Sequence, residues 1–381
     1  MEKNTIDANY NSSEPMVSAY LHSKANAQGI PLSGTFEITG RCNFNCKMCY
    51  VHNSDCQKMK ATELPAEWWI NLGKEAVEAG MVFLLITGGE PLLRDDFEEI
   101  YTELSRMGCV ISLNTNGYLI NDRIKSLFEK NPPNRVNISL YGSDNASYEK
   151  FTGVKAFDRV VANVTDLRSI GVDAKFNCSI TPDNCGYMEN IYEVSKRLGF
   201  HIKTTSYMFP QMRLNGVPGE NENRLSAQVA AQCRVSWSKL QHSPEEFISR
   251  AKGMKRVIDE KLGIEGADNP AQGVLCRAGR TAFWVDREGR MSPCGIMDKT
   301  FDIKELGFSQ AWEQVKQYVS EILLPKECSN CAYRHLCNVC AAACYSETGS
   351  FSKKPEYLCR MTKETARLVL LESERMEKNG N

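Results

Sequence analysis

Six strand-like runs, at 35–39, 82–87, 110–114, 135–140, 173–180 and 200–206, alternate with amphipathic helical stretches along one continuous part of the chain. In DDFEEIYTELSRMG, Phe97, Ile100, Tyr101, Leu104 and Met107 share one face of a 3.6-residue period. Asp95 with Glu98 reads as a capping box at the start of that helix, and Gly108 as its left-handed stop. Phe157, Val160, Val161, Val164 and Leu167 repeat the pattern before Gly171, and NIYEVSKRLGF repeats it before Gly199. Such alternation predicts βαβ units and a parallel sheet. An open doubly wound sheet and a partial barrel both satisfy it, and periodicity does not choose.

Straight after the first run comes RCNFNCKMCY, with Cys42, Cys46 and Cys49 spaced C-x3-C-x2-C. Eleven of the sixteen cysteines fall into two groups, this loop and the region 276–359. The start, MEKNTIDANYNSSEP, has no apolar run of the signal-peptide kind. No segment approaches the roughly 18 apolar residues of a membrane span. A cytoplasmic chain is expected, where thiols stay reduced, so grouped cysteines predict metal rather than disulfides. The net charge of −1 gives no bulk electrostatic reason to bind nucleic acid or an acidic membrane. With His52, the three thiolates could close a Cys3His zinc knuckle. Alone, they could hold a [4Fe–4S] cluster with one iron lacking a protein ligand. The second run ends MVFLLITGGEPLL, where Gly88 and Gly89 let backbone approach whatever occupies the strand's carboxyl end. Glu90 adds a carboxylate acceptor.

A three-cysteine loop after the first strand, with Gly-Gly-Glu-Pro after the second, resembles the radical S-adenosylmethionine (AdoMet) enzymes across 34–206. The resemblance implies a partial (β/α)6 TIM-like barrel whose cluster takes the amino and carboxylate groups of AdoMet at its fourth position. It implies one-electron cleavage of AdoMet to a 5′-deoxyadenosyl radical, which takes a hydrogen atom from the substrate. Individual residues acquire roles by the same resemblance. Gly88, Gly89 and Glu90 would serve the methionine amino group, and Ser139 the methionine carboxylate, with Arg159 as its cationic partner. Asn177 would contact the ribose, and Asn116 lies at a matching strand end. Met48 departs from the pattern, since an aromatic residue is common before the third cysteine.

In the second region Cys276 is followed by twelve residues to Gly289 and four more to Cys294; then come Cys328-x2-Cys331-x5-Cys337 and Cys359. C-x2-C pairs with distant partners also build zinc ribbons. The order and spacing resemble the SPASM extension of radical enzymes, which implies two auxiliary [4Fe–4S] clusters and three clusters in all. By that resemblance Cys328, Cys331, Cys337 and Cys359 hold the outer cluster. Cys276 and Cys294 hold the inner one, completed by Cys340 and Cys344. CNVCAAAC departs from the usual C-x3-C, which leaves open that Cys340 or Cys344 is a spare thiol. Cys56, Cys109, Cys178, Cys185 and Cys233 fit neither group and read as core or surface thiols. The expected organisation is a lead-in over 1–33, the barrel over 34–206, and a linker over 207–270 with a helical stretch at 225–262. The auxiliary-cluster domain follows over 271–361, then a C-terminal helix over 362–381.

The extension implies a peptide or protein substrate, so peptide maturation is expected, giving a thioether or carbon–carbon crosslink. The electron donor implied is a flavodoxin or ferredoxin. A lead-in of 33 residues is too short for a separate peptide-recognition domain. Three alternatives stand beside this expectation. Formylglycine formation is one, although Gly295 occupies the position where that subfamily is expected to place an Asp base. Oxidation of a small molecule such as a tetrapyrrole is another, and a non-enzymatic zinc scaffold is the third.

Overall fold

The computed structural model describes residues 16–51, 56–261, 273–337 and 339–379. The first part comprises α1 (Met16–Gln28), β1 (Ser33–Glu37), α2 (Cys56–Ala61), α3 (Ala66–Glu78), β2 (Phe83–Thr87), α4 (Phe97–Arg106) and β3 (Val110–Thr115). It continues with α5 (Asp122–Lys130), β4 (Arg135–Ser139), α6 (Asn145–Thr152), α7 (Phe157–Ser169), β5 (Ala174–Ser179), α8 (Met188–Leu198) and β6 (Ile202–Thr205). Then come α9 (Ala227–Gln241), α10 (Pro244–Asp259), β7 (Ala282–Val285), β8 (Arg290–Ser292) and β9 (Phe301–Asp302). The last elements are α11 (Ile303–Ser320), α12 (Lys326–Ser329), α13 (Ala341–Thr348) and α14 (Glu356–Asn379).

All six expected strands form, and they pair in parallel in the order of the chain, β6-β5-β4-β3-β2-β1. A doubly wound sheet would reverse its order at a switch point, whereas winding in one direction is the course of a (β/α) barrel. The partial barrel is therefore the fold. The sheet does not stop at β1. β7 adds to it in parallel, with Ser33 opposite Ala282 and Phe36 opposite Val285, and β8 and β9 continue antiparallel. Strand alternation sorts the side chains: Phe36, Ile86, Leu113, Ile138 and Phe176 are buried in the core that the outer helices share. Trp69 from α3, Tyr101 and Leu104 from α4, and Val160 and Leu167 from α7 close that layer. Each such large apolar side chain contributes roughly 1.5–3 kcal/mol by burial. The opposite strand face, polar for much of its length, points into the barrel.

Local starts and stops follow their neighbours. Gly108, Gly171 and Gly199 adopt the expected left-handed conformation, with φ of 88°, 77° and 67°. The capping box expected at Asp95 does not form. Asp95 is exposed and bonds Lys60 at 2.8 Å, while Asp96 is the N-cap of α4 and makes no side-chain cap bond. The buried Arg94 takes the Asp96 carboxylate, at 2.6 and 2.8 Å, and also donates to Ile38 O and Leu64 O. The stretch 225–262 is two helices, because Ser243 and Glu246 form a capping box and Pro244 opens α10. The last helix starts earlier than expected, at Glu356, which places Cys359 on its first turns.

Candidate active site

The loops that follow β1 and β2 stay paired beyond the strands. Gly89 N donates to Thr39 O at 2.8 Å, and Glu90 N to Arg41 O at 2.7 Å. Backbone this close leaves no room for side chains: a Cβ on Gly89 would stand 2.2 Å from Arg41 O, and one on Gly88 2.4 Å from Thr39 O. Arg41 is itself fixed by Glu63, at 2.8 and 3.0 Å. The cysteine loop is thereby pinned against the glycine turn.

A cavity of about 370 Å3 opens at the carboxyl ends of the strands, and Cys42, Cys46, Cys49, Gly88 and Gly89 line it. Asn116, Ser139 and Asn177 stand in the same wall. The thiols act on one another. Burial and then the Glu90 charge push Cys42 up to about 12, and burial followed by Cys49 and Cys42 raises Cys46. Such thiols stay protonated until a cationic centre compensates their charge.

Two residues of the implied set stand elsewhere. Glu90 is fully buried behind the wall, where its carboxylate accepts from Thr115 Oγ1 (2.8 Å), Asn116 N (2.7 Å) and Leu92 N (3.0 Å). Burial pushes it up to about 7 against the pull of those bonds. Arg159 is exposed and lies 4.1 Å from the centroid of the Tyr118 ring, outside the wall. Asn116 is held by Asn43, its amide donating at 2.7 Å.

The residues present fit an iron–sulfur cluster with a polar ligand beside it. Among the described residues no three His, Cys, Asp or Glu side chains converge as a single-ion site requires, and His52 lies outside the described residues. The thiols are instead spread around a cavity wall, as a polyatomic cluster needs. Asn137 donates to Asn114 Oδ1 at 2.8 Å, yet its own Oδ1 is buried in the same wall without a partner. An orphan acceptor in a cavity marks a place for a donor on a bound molecule. The inward places of Asn114 and Asn137 were readable from the alternation in VISLNT and RVNIS. Arg213 was not, because it comes from a loop. It binds the fully buried Glu37 at 2.9 and 3.1 Å, a carboxylate that also accepts from Trp284 Nε1 at 3.1 Å.

The second cysteine region divides into two neighbourhoods. Cys328, Cys331, Cys337 and Cys359 line one small cavity of about 40 Å3. Burial, then Cys359, Cys337 and Cys331, push Cys328 up to about 12. Cys276, Cys294 and Cys340 form the other: burial raises Cys294 with a contribution from Cys276, and burial pushes Cys340 up to about 11 with contributions from Cys294 and Cys276. Cys340 is the N-cap of α13, and Cys344 stands one turn further on. Cys344 is fully buried, and after burial itself the charges that raise it are Cys328, Cys340, Cys337 and Cys359. Of the thiols read as spare, Cys109, Cys178 and Cys233 are buried and Cys185 is half-buried. The side chain of Cys56 lies outside the described residues.

Residues 36–194 match the family model described as the radical SAM superfamily. The chain is similar to a probable GTP 3',8-cyclase of Pyrobaculum aerophilum, 31% identical over 281 residues, 70% of this chain and 85% of that protein. It is also similar to an AdoMet-dependent heme synthase of Methanosarcina barkeri, 26% identical over 341 residues, 84% of this chain and 94% of that one. Among solved structures it resembles native anSMEcpe with bound AdoMet, with a TM-score of 0.67 and 17% identity over 92% of this chain and 100% of that one. Streptococcus suis SuiB bound to precursor peptide SuiA gives a TM-score of 0.64 and 16% identity over 94% and 84%. The chain belongs to the radical SAM superfamily. Membership implies a [4Fe–4S] cluster, AdoMet and an electron donor. No helix among the described residues is long and apolar enough to cross a membrane.

Proposed function

We propose that this protein is an oxidoreductase that cleaves AdoMet reductively above β1–β6 and removes a hydrogen atom from a substrate held inside the barrel. The observation that carries it is one cavity walled by three thiols, a glycine turn closed to any Cβ, and the orphan acceptor of Asn137. When bound, the cluster supplies the single electron for cleavage. Cys42, Cys46 and Cys49 would hold it. Gly88 and Gly89 offer backbone to the methionine end of AdoMet, and Ser139, Asn116 and Asn177 offer polar groups to the rest. Glu90 acts through the Asn116 backbone as a positioning residue. Arg159 would have to leave the Tyr118 ring to reach a carboxylate, so it takes no part in this assignment. The second region would hold two auxiliary clusters, and the electron donor would be a flavodoxin or ferredoxin.

The substrate reading favoured is a tetrapyrrole. A relative named AdoMet-dependent heme synthase matches over 84% of this chain and 94% of its own length, which takes in most of the barrel and part of the cysteine-rich region. A peptide is the second reading. Its support is that SuiB was solved with precursor peptide SuiA and anSMEcpe with Cp18Cys peptide, at 16% and 18% identity. The test of the activity needs neither substrate. Protein reconstituted anaerobically with iron and sulfide, then reduced, should form 5′-deoxyadenosine from AdoMet. Replacing Cys42, Cys46 and Cys49 by Ala should abolish it; formation at the wild-type rate in that variant overturns the proposal.

A further inference from the structure

A second cavity, of about 220 Å3, adjoins the one above β1–β6, and Tyr50, Met212 and Arg213 line both. The loop after β6 brings Arg213 to it, and the β7–β8 turn brings Arg287 and Arg290. Arg213 is the only charged side chain among the described residues that wall the first cavity. Two carboxylates line the second. Asp286 is taken up by its own turn, accepting from Glu288 N and Arg290 N at 3.0 Å and from Arg290 Nε at 2.8 Å. Asp298 is exposed and accepts from the Tyr345 hydroxyl at 3.3 Å.

The guanidinium groups are less fully used. Arg213 gives the fully buried Glu37 its short bonds, at 2.9 and 3.1 Å, and donates to Gly295 O at 3.2 Å. Arg287 reaches the same Glu37 Oε1 at 3.4 Å, its one hydrogen bond among the described residues. Its other partner is the exposed Glu288, a loose ion pair at 3.6 Å. A guanidinium carries five N–H donors, so most of those on Arg287 are unspent. One cation neutralises Glu37, and a second beside it is surplus until another anion arrives. Nor does Arg287 serve solubility, for which a turn cation would extend into water. Its side chain is 21% exposed and folds back over Gly40, where a Cβ would stand 2.6 Å from its Cδ.

We infer that Arg213 and Arg287 receive a carboxylate of the substrate in this second cavity. The reacting carbon lies in the first cavity, and the acid passes the shared wall of Tyr50, Met212 and Arg213. A guanidinium edge presents paired N–H donors, the fork that matches a carboxylate. This rests on the reading above that the substrate occupies the barrel, and it names the group recognised and the residues that take it. Such a carboxylate comes from a tetrapyrrole side chain or from an acidic position of a peptide.

Binding to the reconstituted protein with AdoMet tests it, using coproporphyrin III against its tetramethyl ester and a penta-glutamate peptide against penta-glutamine. At least one acid should bind, and its neutral counterpart should bind at least about ten-fold more weakly. Arg287→Gln should lose about ten-fold or more in affinity for that acid, and stay within about two-fold for the neutral counterpart. Glu37 keeps Arg213 and Trp284 in this variant, so the fold should hold. Arg256→Gln removes the same charge from α10, outside both cavities, and should stay within about two-fold. Whichever acid shows this pattern identifies the source of the carboxylate. Should Arg287→Gln fail to fold, Arg287→Lys takes its place: it keeps the charge without the fork and should lose about three-fold or more. Neither acid binding wild type, wild-type affinity for the acid in the Arg287 variant, an equal loss for the neutral counterpart, or an equal loss in Arg256→Gln overturns the inference. Carboxylate-dependent binding without AdoMet cleavage would instead overturn the proposed activity and leave this site standing.

Discussion

Glu90 shows how far a side chain's motif position can differ from its place in the fold. It follows the glycine turn, yet its carboxylate faces Thr115 and Asn116 rather than the cavity. Buried there, it titrates near 7 in the folded chain against an ordinary 4.5. Between those values the folded chain holds a proton that the unfolded chain has released. Stability therefore falls as pH rises through that window and stays lower above it, by about 3 kcal/mol in total. Glu90→Gln removes this titration and keeps an acceptor for Asn116 N. Urea unfolding of both apo proteins should show their difference shifting in the variant's favour by about 3 kcal/mol from about pH 4.5 to about pH 8. A difference flat with pH would mean that Glu90 stays ionised in the fold. The cysteine loop was legible because its three thiols are local, and their spacing survives any packing. Glu90 and Arg159 were less so, because a hydroxyl on β3 and the Tyr118 ring decide where they turn.

At the scale of elements, the alternation of strand and helix was legible because each amphipathic face is written within about a dozen residues. That alternation did not choose the barrel, since strand order is a matter of pairing between distant segments. The resemblance carried by the cysteine loop and the Gly-Gly-Glu-Pro turn implied it, and the strand order bears it out. Nor was β7 legible, four residues that join β1 from about two-thirds of the chain away. The Asp95 reading failed for a local reason: two aspartates adjoin, and Arg94 claims the second. The glycine turn gives the element-scale prediction. Gly89→Ala drives a Cβ to 2.2 Å from Arg41 O and must part the loops after β1 and β2. Gly171, left-handed but with nothing within 4 Å of an added Cβ, is the comparison. Gly171→Ala should cost about 1 kcal/mol from its φ alone. Gly89→Ala should cost at least about 2 kcal/mol and lower the iron of the reconstituted protein by about four per chain. Equal stability losses with full iron in both would show that the close approach does not position the cysteines.

For the whole molecule the question is how three thiol groups share eleven cysteines. If all three hold [4Fe–4S] clusters, reconstituted protein should carry about twelve irons per chain, and a value near four with zinc as the remainder would remove the auxiliary pair. Cys340 and Cys344 then divide the outcome further. The helix α13 stacks them one turn apart; the thiols acting on Cys340 are Cys294 and Cys276, whereas those acting on Cys344 are Cys328, Cys340, Cys337 and Cys359. The outer group already has four thiols around its own cavity without Cys344. That leaves Cys276, Cys294 and Cys340 acting on one another in the inner group, with Cys344 beside Cys340 as the fourth thiol to be tested. Cys340→Ala should lower bound iron toward about eight per chain or alter the inner cluster's electron paramagnetic resonance signal. Cys344→Ala should keep the iron and that signal, and lose about 1–2 kcal/mol of stability from the void it leaves in a sealed core. An inner cluster with three thiolates leaves one iron open to a ligand from outside the chain, and Cys344→Ala separates the two cases. Loss of the inner signal in that variant means four thiolates and a closed cluster; an unchanged signal means an iron whose fourth position is open or held by a non-cysteine ligand.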